Sequence, residues 1–381
     1  MILRRLQLQH FRNYRRLDLS LEEGVTVLYG SNGAGKTNIL EAVFALATTK
    51  SFRARTDREL IDRRFEPLDG PFPFARLSGE ADTARGTLSV EMIIGLDGAT
   101  DAPVLRKRFR LDGTARKAVD VVGRLKAVLF SPVDVDIVTG SPSLRRRFVD
   151  LMLCQVDSSY LRLLQSYTRV VQQRNAALSR FGARMPAQQL DFWDQRLMAD
   201  GSEIIGRRLE MMEWLGPCAA EMYMRLSGGG EAFAIEYVSS LGEIEGLNAD
   251  VQNLFSQRLR ALGTKGLEQR LTLVGPHRDD LSMTLDGVPL PSFGSRGQHR
   301  TAALAMRMAE AAYILHRTGE RPIMLLDEAL GELDDRRRDH LLDFTASHPQ
   351  VLLTGTTADL FPQDFRRRGA LIHVEGGAIA A

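Results

Sequence analysis

An α/β fold assembled from the two ends of the chain, with a mostly helical lobe inserted between them, is what the sequence predicts. Three observations carry this. Short apolar–polar alternations separated by turns fill the first third, helical apolar spacing fills the middle, and strand–helix alternation returns after residue 270. Taken in order, residues 2–8 alternate, and Leu17, Leu19 and Leu21 keep the same period of two. Val25–Leu28 reads as a short buried strand ending at Gly30; Lys36–Ala47 reads as a helix with Ile39, Leu40, Val43 and Phe44 on one side. Residues 86–96 and 104–111 form a further pair of expected strands, and Val128–Phe130 another. Helical spacing covers 143–180 and 187–226 and stops at Ser227–Gly230. Strands are then expected at Leu271–Val274, Leu281–Leu285, Ile323–Leu326 and Val351–Leu353, with helices over 297–316 and 335–346. The expected borders are 1–135 and 271–381 for the two parts of the α/β domain, and 136–270 for the lobe.

The 381 residues suffice for two or three domains. Hydrophobic residues at 44% and charged residues at 26% exclude a disordered chain. Basic residues exceed acidic ones by only two, so any surface for a polyanion must be local. Cys154 and Cys218 cannot build a disulfide framework, and a reducing, cytoplasmic setting is expected. No apolar run reaches the ~18 residues of a membrane span. Arginines in MILRRLQLQHFRNYRRL stand where a signal peptide needs its apolar stretch, so neither secretion nor a membrane partner is expected.

Gly30-Ser31-Asn32-Gly33-Ala34-Gly35-Lys36-Thr37 satisfies G-x-x-x-x-G-K-[ST], between an expected strand and an expected helix. Glycines let backbone N–H groups curl around phosphates, and the helix start adds partial positive charge. Lys36, one of only six lysines, would neutralise the terminal phosphates of ATP, and Thr37 would ligate Mg²⁺. Pro322-Ile-Met-Leu-Leu-Asp327-Glu328 supplies a buried strand ending in two acids. Burying Asp327 would be costly without a cation, and Mg²⁺ fits that need, while Glu328 is placed to act on an attacking water. Lys36, Asp327 and Glu328 are therefore the expected catalytic set.

Ser295-Arg-Gly297-Gln298 precedes a long helix, and Gly331-Glu-Leu-Asp334 follows the acidic pair. This order of motifs resembles the ATP-binding-cassette superfamily. The resemblance implies that Ser295, Gly297 and Gln298 contact the γ-phosphate held by a second copy, with Asp334 near the same seam. Phe11-Arg-Asn-Tyr14, GSNGAGKTNILEA from Gly30, Phe130-Ser-Pro132, Gly140-Ser-Pro-Ser-Leu-Arg-Arg-Arg-Phe-Val-Asp150 and Gly275-Pro-His-Arg-Asp-Asp-Leu281 extend the likeness over nearly the whole chain. Together they resemble the RecF family of bacterial recombination repair, related to SMC heads without the long coiled coil. That family implies an ABC-type ATPase head, slow ATP turnover as a dimerisation switch, and binding to single-stranded, gapped and duplex DNA. It further implies partners RecR, RecO and RecA, and a contribution to the SOS response.

Two departures stand out. No glutamine occurs between Gln9 and Gln155, so the cassette glutamine of the Q-loop is missing, and either Ser131 or Asp134 occupies its neighbourhood. The histidine that many cassettes carry after their last core strand is replaced by Leu353-Thr-Gly-Thr-Thr357. Four basic clusters could meet DNA: five arginines before residue 17, eight Lys/Arg against two acids over 104–126, Arg145–Arg147, and Arg366–Arg368. Arg12, Arg106, Lys107, Arg108 and Arg110 are the candidate contacts, against the plainer reading of a solvated, arginine-biased surface. His277 is expected as a hydrogen-bonded turn residue at the nucleotide edge or the junction of the lobes. The rival function is the nucleotide-binding subunit of a membrane transporter, which shares the cassette motifs.

Overall fold

The computed structural model describes residues 1–66, 72–97, 104–184, 187–244, 246, 249–331, 333–357 and 369–379. The chain divides into two compact units, Met1–Asp134 with Glu310–Ala381, and Val135–Ala309.

The first unit holds two six-stranded sheets. One is antiparallel, in the order Tyr14–Ser20, Ile2–Phe11, Phe74–Thr83, Gly86–Asp97, Val104–Leu111, Thr114–Arg116. Its third strand lies outside the sequence expectation, because the inward residues Ala75, Leu77, Gly79 and Ala81 are mostly small and carry little hydrophobic signal. They are small for a reason: a Cβ on Gly79 would lie 3.0 Å from Leu46 of the phosphate-loop helix. The second sheet runs Ala378–Ile379, Ala370–Glu375, Gly24–Tyr29, Gln350–Gly355, Ile323–Leu326, Ala127–Phe130. Its last five strands are parallel, and three of them are buried along their whole length, as a sheet covered on both faces requires.

Helix Lys36–Thr48 packs between these sheets, and eleven of its thirteen residues are buried. The buried Gln350 side chain sews the sheets together, accepting from Leu3 N at 2.8 Å and donating to Leu3 O at 2.9 Å. Parallel register brings Tyr29, Phe130, Leu326 and Gly355 to one edge of the second sheet, the carboxyl edge at which α/β folds bind ligands.

The second unit contains helices Pro142–Val156, Ser158–Phe181, Ala187–Ser227 and Val251–Ala261, the first half of Arg296–Thr318, and a small antiparallel sheet. The stretch expected as one helical run from 143 to 180 breaks at Asp157, which caps the second helix by accepting from Ser159 N and Tyr160 N. Leu271–Val274 is not a strand: the side chain of Asn175 takes Thr272 N at 2.8 Å, and Gly266 O takes Leu271 N. Asp280–Leu285 does form a strand, but it pairs with Phe233–Val238, which the sequence reading did not identify. That pairing draws the chain beyond 271 into this unit, which runs to Ala309.

The unit has a polar core. Arg208, 2% exposed, donates to Asp150 Oδ1 at 2.8 Å and to Pro276 O at 2.7 Å. Arg145 grips Asp280 with two hydrogen bonds of 2.6 and 2.8 Å, and Arg146 donates to Asp279 O. The GSPSLRRRFVD and GPHRDDL stretches therefore hold each other inside this unit, and His277 is a hydrogen-bonded turn residue among them. Its Nδ1 pairs with the Tyr167 hydroxyl at 2.7 Å, and burial pushes its pKa down to about 4.

Candidate nucleotide-binding site

The loop Gly30–Thr37 leaves the Gly24–Tyr29 strand at the carboxyl edge and opens the central helix. At Gly30, φ is 150° and a Cβ would fall 2.1 Å from Val374 O; at Gly35, φ is 120° and a Cβ would fall 2.8 Å from Asn13 Nδ2. Only glycine fits either place. Lys36 is 3% exposed and its ammonium donates to Gly30 O at 2.7 Å and Ser31 O at 2.9 Å. Gly35 provides no side-chain cap, so the first-turn N–H groups of the helix are suited to an anion. Asn32, Lys36, Thr37, Arg53 and Glu328 line a cleft of about 140 Å³ over this loop.

Asp327 is 8% exposed, and one of its oxygens accepts from Thr37 Oγ1 at 2.7 Å and from Thr354 Oγ1 at 2.9 Å. Hydroxyls surround this buried carboxylate, an oxygen-only donor set that suits Mg²⁺, and Thr37 and Asp327 are the residues that would hold it. Thr354 also accepts from Glu328 N at 2.9 Å, and Glu328 stands at φ 52°. The amide is thus pinned, and the left-handed backbone turns Glu328 into the cleft, a strain of the kind found at functional sites. Thr354 belongs to the threonine-rich stretch that replaces the cassette histidine, and sequence reasoning did not give it this role.

The Phe11–Tyr14 motif braces the loop. Asn13 Nδ2 donates to Ala34 O at 2.9 Å, and Tyr14 OH donates to Gly35 O at 3.1 Å. Burial holds the Tyr14 pKa well above its ordinary value, so it remains a donor. Arg12, a sequence candidate for DNA, is instead spent here. It holds Glu41 through both carboxylate oxygens at 2.7 and 2.9 Å and donates to Glu59 O. Arg53 and Ser51 join the same fully buried Glu41. Burial works against the Glu41 charge, yet these partners hold its pKa below the usual glutamate range.

The signature residues lie in the second unit, at the start of Arg296–Thr318. Gln298 Oε1 accepts from Ser295 N at 2.7 Å and Ser295 Oγ accepts from Gln298 N at 3.2 Å, a reciprocal capping box. Glu231 holds Gln298 Nε2 at 2.7 Å and accepts from Tyr223 OH at 2.8 Å. Glu231 follows the Ser227–Gly230 turn and carries no motif, so only packing identifies it. Ser295 is exposed and Gly297 half-buried. Asp334 caps the Asp335–Ala346 helix by accepting from Arg337 N at 2.9 Å.

The basic candidates separate by strand parity. Lys107 turns inward to Thr49 O at 3.0 Å and to Asp57 at 2.6 Å. Arg106, Arg108 and Arg110 are exposed and share the other face, opposite Gly95, Ile93 and Glu91 of the neighbouring strand. Arg145 and Arg146 are committed to the polar core described above. Arg366–Arg368 lies outside the described residues.

This combination of strand order, phosphate loop and signature helix has known counterparts. The RecF/RecN/SMC N-terminal-domain family matches residues 2–367. The chain is 41% identical over 386 residues to the DNA replication and repair protein RecF of Roseiflexus castenholzii, covering 98% of each. It belongs to the RecF family. RecF of Herpetosiphon aurantiacus is likewise 41% identical over 389 residues, covering all of this chain and 99% of that one. Among solved structures, the recombination mediator RecF of the RecFOR pathway with ATP superimposes with a TM-score of 0.87 at 28% identity, covering all of this chain and 97% of that one. An Smc head bound to part of ScpA reaches 0.53 at 15% identity and shares the fold. The ABC/SMC-type ATPase head expected from the sequence is thus the architecture of this RecF-family chain. The transporter-subunit reading gains no support, and no helix among the described residues is long and apolar enough to cross a membrane.

Proposed function

We propose that this protein is an ATP-gated DNA-binding protein of recombinational repair and replication-fork maintenance, hydrolysing ATP slowly to reset itself. The observation that carries the reading is the Lys36, Thr37, Asp327 and Thr354 constellation at the carboxyl edge, with Glu328 turned into the same cleft. The phosphates of ATP rest on the first turn of the Lys36–Thr48 helix, and Lys36 exchanges its carbonyl partners for them. Bound Mg²⁺, held by Thr37 and Asp327, supplies charge neutralisation there. Glu328 orients or deprotonates the attacking water.

Ser295, Gly297 and Gln298 reach the phosphate held by a second copy, with Asp334 at the same seam, so ATP favours the dimer and acts as a population-shifting ligand. Arg106, Arg108 and Arg110 then meet DNA phosphates, which makes binding salt-sensitive and independent of sequence. Membership of the RecF family supports single-stranded, gapped and duplex DNA as partners. The RecFOR naming of the solved relatives supports RecO and RecR as partners, and the RecF-family resemblance is what suggests RecA loading, the SOS response and a cytoplasmic setting.

The test is binding to single-stranded, gapped and duplex DNA at two salt concentrations, with and without ATP–Mg²⁺, with molecular mass followed by light scattering. ATP is expected to raise mass and DNA affinity together, and Lys36→Ala and Ser295→Arg are each expected to abolish both gains. DNA binding absent under every nucleotide condition would sink the reading.

A further inference from the structure

We propose that Ser131 stands in for the missing cassette glutamine, its hydroxyl holding a water molecule of the divalent cation bound with the nucleotide. The inference rests on the nucleotide reading above. Strand Ala127–Phe130 runs parallel to Ile323–Leu326 with Phe130 opposite Leu326, and Asp327 N donates to Phe130 O at 2.8 Å. Ser131 is the next residue on the chain, at the strand tip beside Asp327.

The two candidates left open by the sequence are separated by their contacts. Asp134 is 7% exposed; its Oδ2 accepts from Ser131 N at 2.7 Å and its own N–H donates to Ser131 O at 3.0 Å. It is therefore the residue that closes the Ser131–Asp134 turn. Ser131 Oγ is buried and has no hydrogen-bond partner among the described residues. A buried hydroxyl left without a partner costs stability, and a bound water or ion is one of the few things that offset that cost in a native protein.

Reach decides the kind of contact. A serine hydroxyl extends much less far from the backbone than a glutamine amide, so contact runs through a water. Mg²⁺ loses its water shell reluctantly and keeps several waters when bound by few protein groups, as it would be by Thr37 and Asp327. A hydroxyl can both donate to and accept from its surroundings, so it can orient such a water without adding charge.

The experiment titrates Mn²⁺, read by electron paramagnetic resonance, into the full chain with a slowly hydrolysed ATP analogue. Wild type, Ser131→Ala and Ser131→Thr are compared, with nucleotide affinity in chelator and thermal unfolding measured alongside. Ser131→Ala is expected to need about tenfold more Mn²⁺ for half-saturation, the scale of losing an outer-shell partner. Its nucleotide affinity in chelator and its unfolding temperature are expected to hold, and Ser131→Thr, which keeps the hydroxyl, to restore the wild-type titration. Equal Mn²⁺ requirement in wild type and Ser131→Ala overturns the inference and leaves the nucleotide reading standing. A wild type that binds neither nucleotide nor its Mn²⁺ complex overturns both. A folded Ser131→Thr as defective as Ser131→Ala also counts against the hydroxyl.

Discussion

Two helix starts in this chain are proposed to meet phosphate, and they are built in opposite ways. The Lys36–Thr48 helix begins at Gly35 with no side-chain cap and is braced from outside, by Asn13 and Gly377 on Ala34 O and by Tyr14 on Gly35 O. The Arg296–Thr318 helix begins with a capping box in which Ser295 and Gln298 satisfy each other, and Glu231 fixes Gln298 in place. The first is a receptor whose backbone donors suit an anion. The second is already satisfied, and Ser295 must give up or share an internal bond to meet a phosphate. Rigid bracing of the loop that binds, and local self-capping of the loop that visits, is the division expected if the second arrives only when two copies close.

The largest expected effect breaks the bracing of the first half. Glu41→Ala leaves Arg12 and Arg53 without their buried carboxylate and is expected to cost about 3–5 kcal/mol in guanidinium unfolding. A loss below about 1 kcal/mol, the scale of an exposed pair, would show that the cluster does not hold this half together. Lys36→Ala removes charge from the receptor itself. ATP turnover is expected to fall by about 10²–10³, as when a donor to developing charge is removed. Turnover close to wild type would mean that the phosphate is held elsewhere.

Acid probes the two units separately. Burial holds His277, in the second unit, and His348, in the first, near a pKa of about 4 against an ordinary 6.5. Above 6.5 both histidines are neutral whether folded or not. As pH falls from 6.5 towards 4 the unfolded chain gains protons that the folded chain refuses, so stability drops by up to ~1.4 kcal/mol per pH unit for each. Asp279, which burial holds above the usual aspartate range, takes up its proton more readily when folded and softens the loss at lower pH. Unfolding temperature followed from pH 7 downward should fall less steeply in His277→Gln; an unchanged slope would refute a neutral His277 in the polar core.

The smallest expected effect sharpens the second half. Glu231→Ala removes one hydrogen bond from Gln298, worth about 1 kcal/mol, and should weaken ATP-driven dimerisation roughly fivefold without altering ATP affinity of the single chain. Glu231→Gln keeps an acceptor for Gln298 and is expected to recover most of the loss. Equal dimerisation in wild type and Glu231→Ala would leave the box self-sufficient.

The sequence by itself determined the parts whose chemistry is local. Eight consecutive residues carry the phosphate loop, because a cradle of backbone N–H groups needs only glycines and a helix start in a row. Four apolar residues before Asp327 and Glu328 announce a buried strand with an acidic tip, and S-x-G-Q before a long helix announces a cap. Small inward residues hid the Phe74–Thr83 strand, and side-chain capture by Asn175 removed the strand expected at Leu271. Only the tertiary structure decided which polar groups were already spent. Arg12 meets Glu41, Arg145 meets Asp280 and Lys107 meets Asp57, all turned inward, while Arg106, Arg108 and Arg110 lie on an exposed face where Arg110 pairs with Glu91 at 3.6 Å. Thr354 reached Asp327, Glu231 reached Gln298, and the Ser131 hydroxyl was left without a partner among the described residues by the same means. Composition counts charges and hydroxyls, but pairing depends on which strands lie side by side, and that is settled by packing between residues far apart in the chain.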